Sequence, residues 1–384
     1  MPFRPKMMIP MLFLGAICPS KEHPAGQETQ RAEAVFANLV HPGNPGLAVL
    51  VKKDGQILVE KAYGQRRAGT NETISSETDF RLASFTKQFT AMAIMLLVHD
   101  GKLHYESKLT DIFPGFPAYG KAITVRNLLT HTSGLPDYED LMDRLGKAQG
   151  TTWTPEHQIQ DEEVLALLEK ESKGKFAPGT GWAYSNSGYV VLGLIVAKVS
   201  GITYEEFLQQ RIFAPLGMKQ TVVYQKEKHE ISNRAYGHSL ENGKFILTDQ
   251  SATSATLGDG GIYSNLEDLS RWDDALTNHT LLSAQEMPPA LNPVKLTDGG
   301  EPHWPKEADD DNLAPGQPVS YGFGWFLDPY QGHPRMWHSG STMGFRTVIE
   351  RFTADRLTIV ILCNRTDLDP AKLALQVAQY YLKN

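Results

Sequence analysis

Apolar and polar positions alternate with two different periods along this chain. Gly46 to Val51 and Gln56 to Tyr63 are apolar runs joined by "KKDG", whose Asp54-Gly55 pair is a hairpin signal, so they predict two antiparallel strands. Just before them, "TQRAEAVFANLV" has helical spacing. The far end repeats the theme, with apolar strands around Thr347 to Phe352 and Leu357 to Cys363 and a helix over Pro370 to Leu382. The middle is helical: Ser84 to His99 closed by Gly101, "EEVLALLEK" from Glu162, "YVVLGLIVAKVSG" closed by Gly201, and "YEEFLQQRIF" from Tyr204. Strands at both ends and helices between them predict an α/β fold, one sheet built from the two chain ends with a helical insertion. The expected division is a sheet part at about 21–83 and 235–384 and a helical part at about 84–234.

Against that frame, some short motifs stand out from their decoys. Ser84 and Lys87 are three residues apart at the head of a helix, just under one turn, which sets the amine above the hydroxyl on one face. The following "AMAIMLLV" is apolar on every face, so the helix is expected to be buried and Lys87 with it. Burial depresses a lysine pKa, and a neutral amine is what a proton acceptor requires. Ser172 and Lys175 repeat the spacing inside a Gly- and Pro-bounded loop that fixes no geometry, and are set aside. A serine opening a helix is also an ordinary N-cap, so Ser84 needs partners to be more than that.

Tyr-Ser-Asn occurs twice. In "GGIYSNLED", Ser264 followed by Glu267 reads as a capping box opening a helix from Leu266 to Leu276, which explains Tyr263 by structure. In "PGTGWAYSNSGYVVLG", Tyr184, Ser185 and Asn186 emerge from a Pro- and Gly-rich turn ahead of a helix expected near Gly188, a placement suited to a cleft. His or Lys followed by x-Gly occurs three times. Lys53-Asp54-Gly55 is the hairpin turn and His99-Asp100-Gly101 a helix end; His338-Ser339-Gly340 leads into the C-terminal strands, where a glycine at a sheet edge lets a ligand approach the backbone.

Composition adds boundaries. The chain has 384 residues, is 41% hydrophobic and 21% charged, and carries a net charge of -7, which with no dense basic cluster argues against a nucleic-acid partner. The acidic run "KEADDDN" at Lys306 to Asn312 reads as a solvated loop. Arg4 and Lys6 precede an apolar run from Met7 to Cys18, shorter than the roughly 18 to 20 residues of a membrane span and suited to a signal-peptide core, so residues 1–20 are expected to direct export. Cys18 is a candidate lipid-attachment site, with cleavage shortly after it the alternative. Cys363 lies in an apolar strand and is expected to be a core residue, and no disulfide is expected. Twelve histidines include no pair at ligand spacing, since His229-Glu230 lacks a second histidine four positions on, so no metal or other cofactor is expected. His131 in "THTSGL" reads as a packed loop residue, and the absence of Gly-x-Ser-x-Gly removes the ordinary α/β-hydrolase.

The order Ser84-x-x-Lys87, Tyr184-Ser185-Asn186, His338-Ser339-Gly340 resembles the three-motif signature of the penicillin-recognising serine hydrolases. Within them it is similar to the branch that holds class C β-lactamases, D-alanyl-D-alanine carboxypeptidases, D-aminopeptidases and β-lactamase-like esterases. "LLTHTSGLPDY", "LGMKQT", "GDGGIYSNLEDLSRW", "YGFGW" and "ILCNRTD" extend the likeness from about Gly46 to the C-terminus. The resemblance implies a β-lactamase-like (DD-peptidase) fold, an antiparallel sheet flanked by helices. It also implies roles: Ser84 as nucleophile, Lys87 as its proton partner, Tyr184 as general base and acid, and Asn186 with His338, Ser339 and Gly340 as the substrate site. The backbone N–H groups of Ser84 and Ser341 would form the oxyanion hole. Class C β-lactamases usually have lysine where this chain has His338; a histidine near pKa 6.5 is mostly neutral at pH 7 and anchors a substrate carboxylate poorly. Arg346 and Arg365 are the candidates for that missing charge. The expected activity is acyl-enzyme hydrolysis of a D-alanyl-type peptide or small ester, with a β-lactamase and a non-hydrolysing β-lactam sensor as alternatives.

Overall fold

The computed structural model describes residues 24–150, 152–225, 230–306 and 315–383. The signal-peptide and Cys18 readings, His229, and nearly all of the acidic run after Lys306 lie outside these residues. Helix α1 (Pro24–Phe36) leads into strands β1 (Leu47–Lys53) and β2 (Gln56–Tyr63), whose turn puts Asp54 at φ 52° and Gly55 at φ 78°, as a tight hairpin demands. The C-terminal part supplies β3 (Met336–Thr342), β4 (Phe345–Phe352), β5 (Leu357–Cys363) and helix α7 (Pro370–Ala378), which ends four residues before the expected Leu382. These strands form one antiparallel sheet in the order β2-β1-β5-β4-β3. Chain ends thus meet at its centre, where Leu47 pairs with Cys363 and Lys53 with Leu357. The fold is that expected from the sequence, an antiparallel sheet flanked by helices.

Period-two alternation sorts the strand residues onto two faces. Leu47, Val49, Val51, Val348, Ile359, Ile361 and Cys363 pack beneath α1 and α7. Cys363 is fully buried, which pushes its thiol up to about 12 and leaves it an inert core group. On the opposite face Ala48, Leu50, Phe345, Ile349, Val360 and Leu362 join the main core with helices α2 (Lys87–His99), α3 (Tyr138–Gln149), α4 (Asp161–Glu169), α5 (Asn186–Ser200) and α6 (Leu266–Thr277). Helix α6 is fastened to three strands through one carboxylate: Asp273 accepts from Arg351 of β4 at 2.8 Å and Thr358 of β5 at 2.7 Å, and lies 3.6 Å from Lys52 of β1. Its N-cap differs from expectation. Asn265, not Ser264, accepts from the Asp268 N–H, because Ser264 is still extended in a short strand (Ile262–Ser264) and bonds Thr221.

Asn364, directly after β5, holds the two chain ends against the rest. Its Oδ1 accepts from Gly46 N at 2.7 Å, and its Nδ2 reaches the carbonyls of Gln65, Arg66 and Tyr236 at 3.0 to 3.1 Å. The residue is fully buried, so Asn364→Ala strands a backbone donor and three acceptors. Urea unfolding is expected to show a loss of about 2–4 kcal/mol for this variant, against less than about 0.5 kcal/mol for a surface control such as Lys372→Ala.

Candidate active site

Ser84 is not part of the long helix. It sits in a 3-10 turn (Ala83–Thr86) that precedes α2, and Ala83 is held at φ 50°, a left-handed conformation that a residue with a Cβ adopts at some cost. The turn lifts Ser84 to a half-buried position while every residue from Lys87 to Leu97 is buried. Strand β3, the last strand of the sheet, presses against this turn. A Cβ on Gly340 would lie 2.0 Å from the Leu82 carbonyl oxygen, and Thr347 on the neighbouring strand donates to that same oxygen at 2.8 Å. The glycine is therefore required by the approach of strand to turn. Ser341 lies one residue past this contact and Ser84 two residues past Leu82, so both expected oxyanion amides come from the two backbones pressed together there.

Lys87 is fully buried and its Nζ has three partners: Ser84 Oγ at 3.0 Å, Asn186 Oδ1 at 2.9 Å and the Asp259 carbonyl at 3.0 Å. Burial pushes its pKa down to about 8, opposed chiefly by the negative charge of Asp259. The partners are not equivalent. Asn186 Oδ1 and a backbone carbonyl can only accept, whereas Ser84 has a hydrogen to give. A neutral amine with two N–H groups committed to those acceptors turns its lone pair to the Ser84 hydroxyl.

Asn186 reaches Lys87 from the first turn of α5, which begins at Asn186 rather than near Gly188 because Ser185 is its N-cap, accepting from Gly188 N at 3.0 Å. Tyr184 precedes that cap, half-buried, with Lys87 Nζ 4.9 Å from its ring centroid. The loop that carries it rests on His131, whose ring is 4.5 Å from that of Tyr184 and whose Nδ1 accepts from Ser185 N at 3.1 Å. His131 is packed, as expected from the sequence, and it is also the support of the Tyr184 loop. The second Tyr-Ser-Asn is structural: Tyr263 is fully buried and bonded to Arg234.

His338 is buried on the Tyr184 side, its ring 6.2 Å from the tyrosine ring, within an aromatic group that includes Tyr321 and Phe326. Nδ1 donates to the Ser339 carbonyl at 2.6 Å and Nε2 takes the Tyr321 hydroxyl at 3.2 Å, a network that assigns the neutral Nδ1–H tautomer. Desolvation, and then Lys87, push its pKa down to about 3, far below the value near 6.5 assumed from sequence. Ser339 and Ser341 alternate with His338 and Gly340 along the strand, so their side chains leave on its other side, and that of Ser341 is exposed. Both arginine candidates have partners of their own, and Arg346 stands opposite Ser341 across the β3–β4 pair. Arg365 is paired with Asp367 at 2.6 Å and bonded to the Leu39 and Pro45 carbonyls, and Arg346 donates to the carbonyls of Thr342 and Phe345. The discarded Lys175 lies on the surface, 3.6 Å from Asp140.

Comparison with known proteins places the fold in a family. The Beta-lactamase family model matches residues 32–382. Penicillin-binding protein 4* of Bacillus subtilis (strain 168) is 32% identical over 349 residues, which cover 87% of this chain and 71% of that protein. A D-aminopeptidase of Cereibacter sphaeroides is 26% identical over 327 residues, covering 83% of this chain and 57% of its own length. Among solved structures, the octameric penicillin-binding protein homologue from Pyrococcus abyssi superposes with a TM-score of 0.73 at 26% identity, over 92% of this chain and 76% of that one.

The burial of His338 has a direct spectroscopic consequence. Its ring is expected to remain uncharged from pH 9 down to pH 5, with 15N shifts of a single neutral tautomer throughout.

Proposed function

The chain belongs to the β-lactamase family of serine hydrolases, and on that premise we propose that Ser84 attacks the carbonyl of a D-alanyl-type amide or a small ester with an uncharged leaving group. The observation that carries this reading is the cage around Lys87, in which the Ser84 hydroxyl is the one partner able to give the amine a proton. In the first step the Ser84 Oγ–H passes its proton to the coupled Lys87 and Tyr184 pair as Oγ bonds the carbonyl carbon. The oxyanion is taken by the N–H groups of Ser84 and Ser341, and the proton is returned to the leaving group as the acyl bond breaks. Tyr184, half-exposed above the amine, then draws a proton from water, which attacks the acyl-enzyme and frees Ser84. Asn186 has an amide N–H₂ left for the substrate once its Oδ1 is committed to Lys87.

The preference for an uncharged leaving group rests on electrostatics. A free carboxylate, as in a D-alanyl-D-alanine terminus or a β-lactam, wants a cation beside it. The residue at the family's lysine position is a neutral imidazole, and Arg365 already holds Asp367. The kinship with a D-aminopeptidase supports the same direction. Export, with residues 1–20 as the signal, completes the proposal.

Turnover of p-nitrophenyl acetate is expected to vanish in Ser84→Ala, and undiminished turnover would remove the reading. In the unaltered protein kcat/KM should climb with pH to a plateau above about 8, since Lys87 must lose its proton to act. Across a panel, p-nitrophenyl esters and D-alanine p-nitroanilide should exceed both nitrocefin and a D-Ala-D-Ala peptide by at least about tenfold in kcat/KM, a margin of about 1.4 kcal/mol. Rapid hydrolysis of nitrocefin would point to a β-lactamase, and a stable penicillin adduct by mass spectrometry to a sensor.

A further inference from the structure

The segment "LGDGG" delivers more than a carbonyl to Lys87. Gly258 lies where a Cβ would meet the Tyr189 carbonyl oxygen at 2.3 Å, and the Gly258 carbonyl accepts from Thr90 of α2 at 2.6 Å. The loop is thus wedged between α2 and α5. The next residue, Asp259, is buried with 6% exposure. Its Oδ2 accepts from the Tyr138 hydroxyl at 3.3 Å, and its Oδ1 has no hydrogen-bond partner among the described protein groups. A buried carboxylate with an unpartnered oxygen is costly, and such a group normally persists where its charge is used.

We propose that the Asp259 carboxylate is a positioning residue for the reaction, a fixed negative charge that holds the proton on Lys87 between turnovers and sets the acid side of the enzyme's working range. The proposal rests on the reading of Lys87 as the proton acceptor for Ser84. Asp259 touches the amine through its main-chain carbonyl only, so its side chain acts through the field it makes across the buried interior. The surrounding ionisable groups are consistent with that assignment. Asp161, at the head of α4, is buried beside the same loop and accepts from Leu257 N at 3.0 Å, and burial, followed by the Asp259 charge, pushes its carboxyl well above the usual range. Tyr138 of α3 is held protonated by burial and by Asp259, Tyr204 is raised by burial, and Tyr189 of α5 likewise. His131 and His338 are neutral. Asp137 and Glu139, at the start of α3, add weaker attraction to the Lys87 ammonium, after Asp259. Asp259 is then the principal negative charge opposed to the amine. Without it, desolvation opposed only by the weaker pull of Glu139 and Asp137 would set the lysine lower still, and the proton gained from Ser84 would be less firmly kept through the acylation step.

The test is a pair of charge-removing variants. Asp259→Asn keeps the main-chain contact and an acceptor for Tyr138, and Asp259→Ala is a second route should the amide fail to fold. In protein carrying 13Cε/15Nζ-lysine, the Lys87 side-chain titration is expected to move to lower pH by about one unit in either variant, and the acid limb of kcat/KM to move with it. The NMR titration needs no turnover, so it stands or falls apart from the acyl-enzyme reading, which the Ser84→Ala assay decides. An unshifted Lys87 titration in a folded variant overturns the inference. So does an activity loss that is equal at every pH with that titration unmoved, since this is the mark of a merely structural residue.

Discussion

An amine with no exposure to water, held by three oxygens, is the constraint on which the rest of this molecule depends. Lys87 bonds residues 3, 99 and 172 positions away along the chain. Taking an ammonium out of water costs several kcal/mol, and that cost is recovered only if all three acceptors are in place together. The 3-10 turn, the head of α5 and the Gly258–Asp259 loop are thereby required to converge, and each is built to do so. Ala83 tolerates a left-handed backbone at the turn, Ser185 caps α5 so that Asn186 enters its first turn, and Gly258 has no side chain to keep the loop away from α5.

The sheet supplies the other wall by a topological route. Because β1 and β2 come from one end of the chain and β3, β4 and β5 from the other, the strand carrying His338 and Gly340 ends as the last strand of the sheet, its outer side bridged to Phe326 at Trp337. An edge strand has backbone groups to offer a ligand, which is a liability in most proteins and an asset beside a nucleophile. Gly340 fixes how near that edge comes to Ser84, and the Asn364 clamp fixes where the sheet lies relative to the loops around Tyr236.

What could be read in the sequence was what short-range pattern encodes. Four of the five strands, the central helix and the burial of Lys87 follow from period and from continuous apolarity, while the strand Met336–Thr342 read only as a run leading into its neighbours, and three motifs in order pointed to the candidate site residues. What escaped depends on backbone geometry or on distant partners. Ser84 read as a helical residue because a 3-10 turn and an α-helical first turn have nearly the same spacing. Ser264 read as a cap because it has the right residue three positions on, although the strand runs one residue further and leaves Asn265 to do it. His131 as a support for the Tyr184 loop, Tyr321 as the partner of His338 and Asp259 as the neighbour of Lys87 are contacts across 54, 17 and 172 residues, for which local pattern carries no signal.

In the function proposed above, the chemistry of attack and the choice of substrate are carried by different parts of the site. Attack needs an acceptor for the serine proton, and the Lys87 cage provides it whatever lies on the far side of the crevice. Choice of leaving group is made at His338, where desolvation and the nearby Lys87 charge act in the same direction and keep the imidazole neutral. A second ammonium in that place would repel Lys87 unless an incoming carboxylate balanced it, so a lysine there would tie catalysis to an anionic substrate. A neutral ring removes both the repulsion and the requirement. On the proposed reading, uncharged amides and esters are then served with Ser84, Lys87 and Tyr184 unaltered, and His338 is the position that distinguishes the two cases.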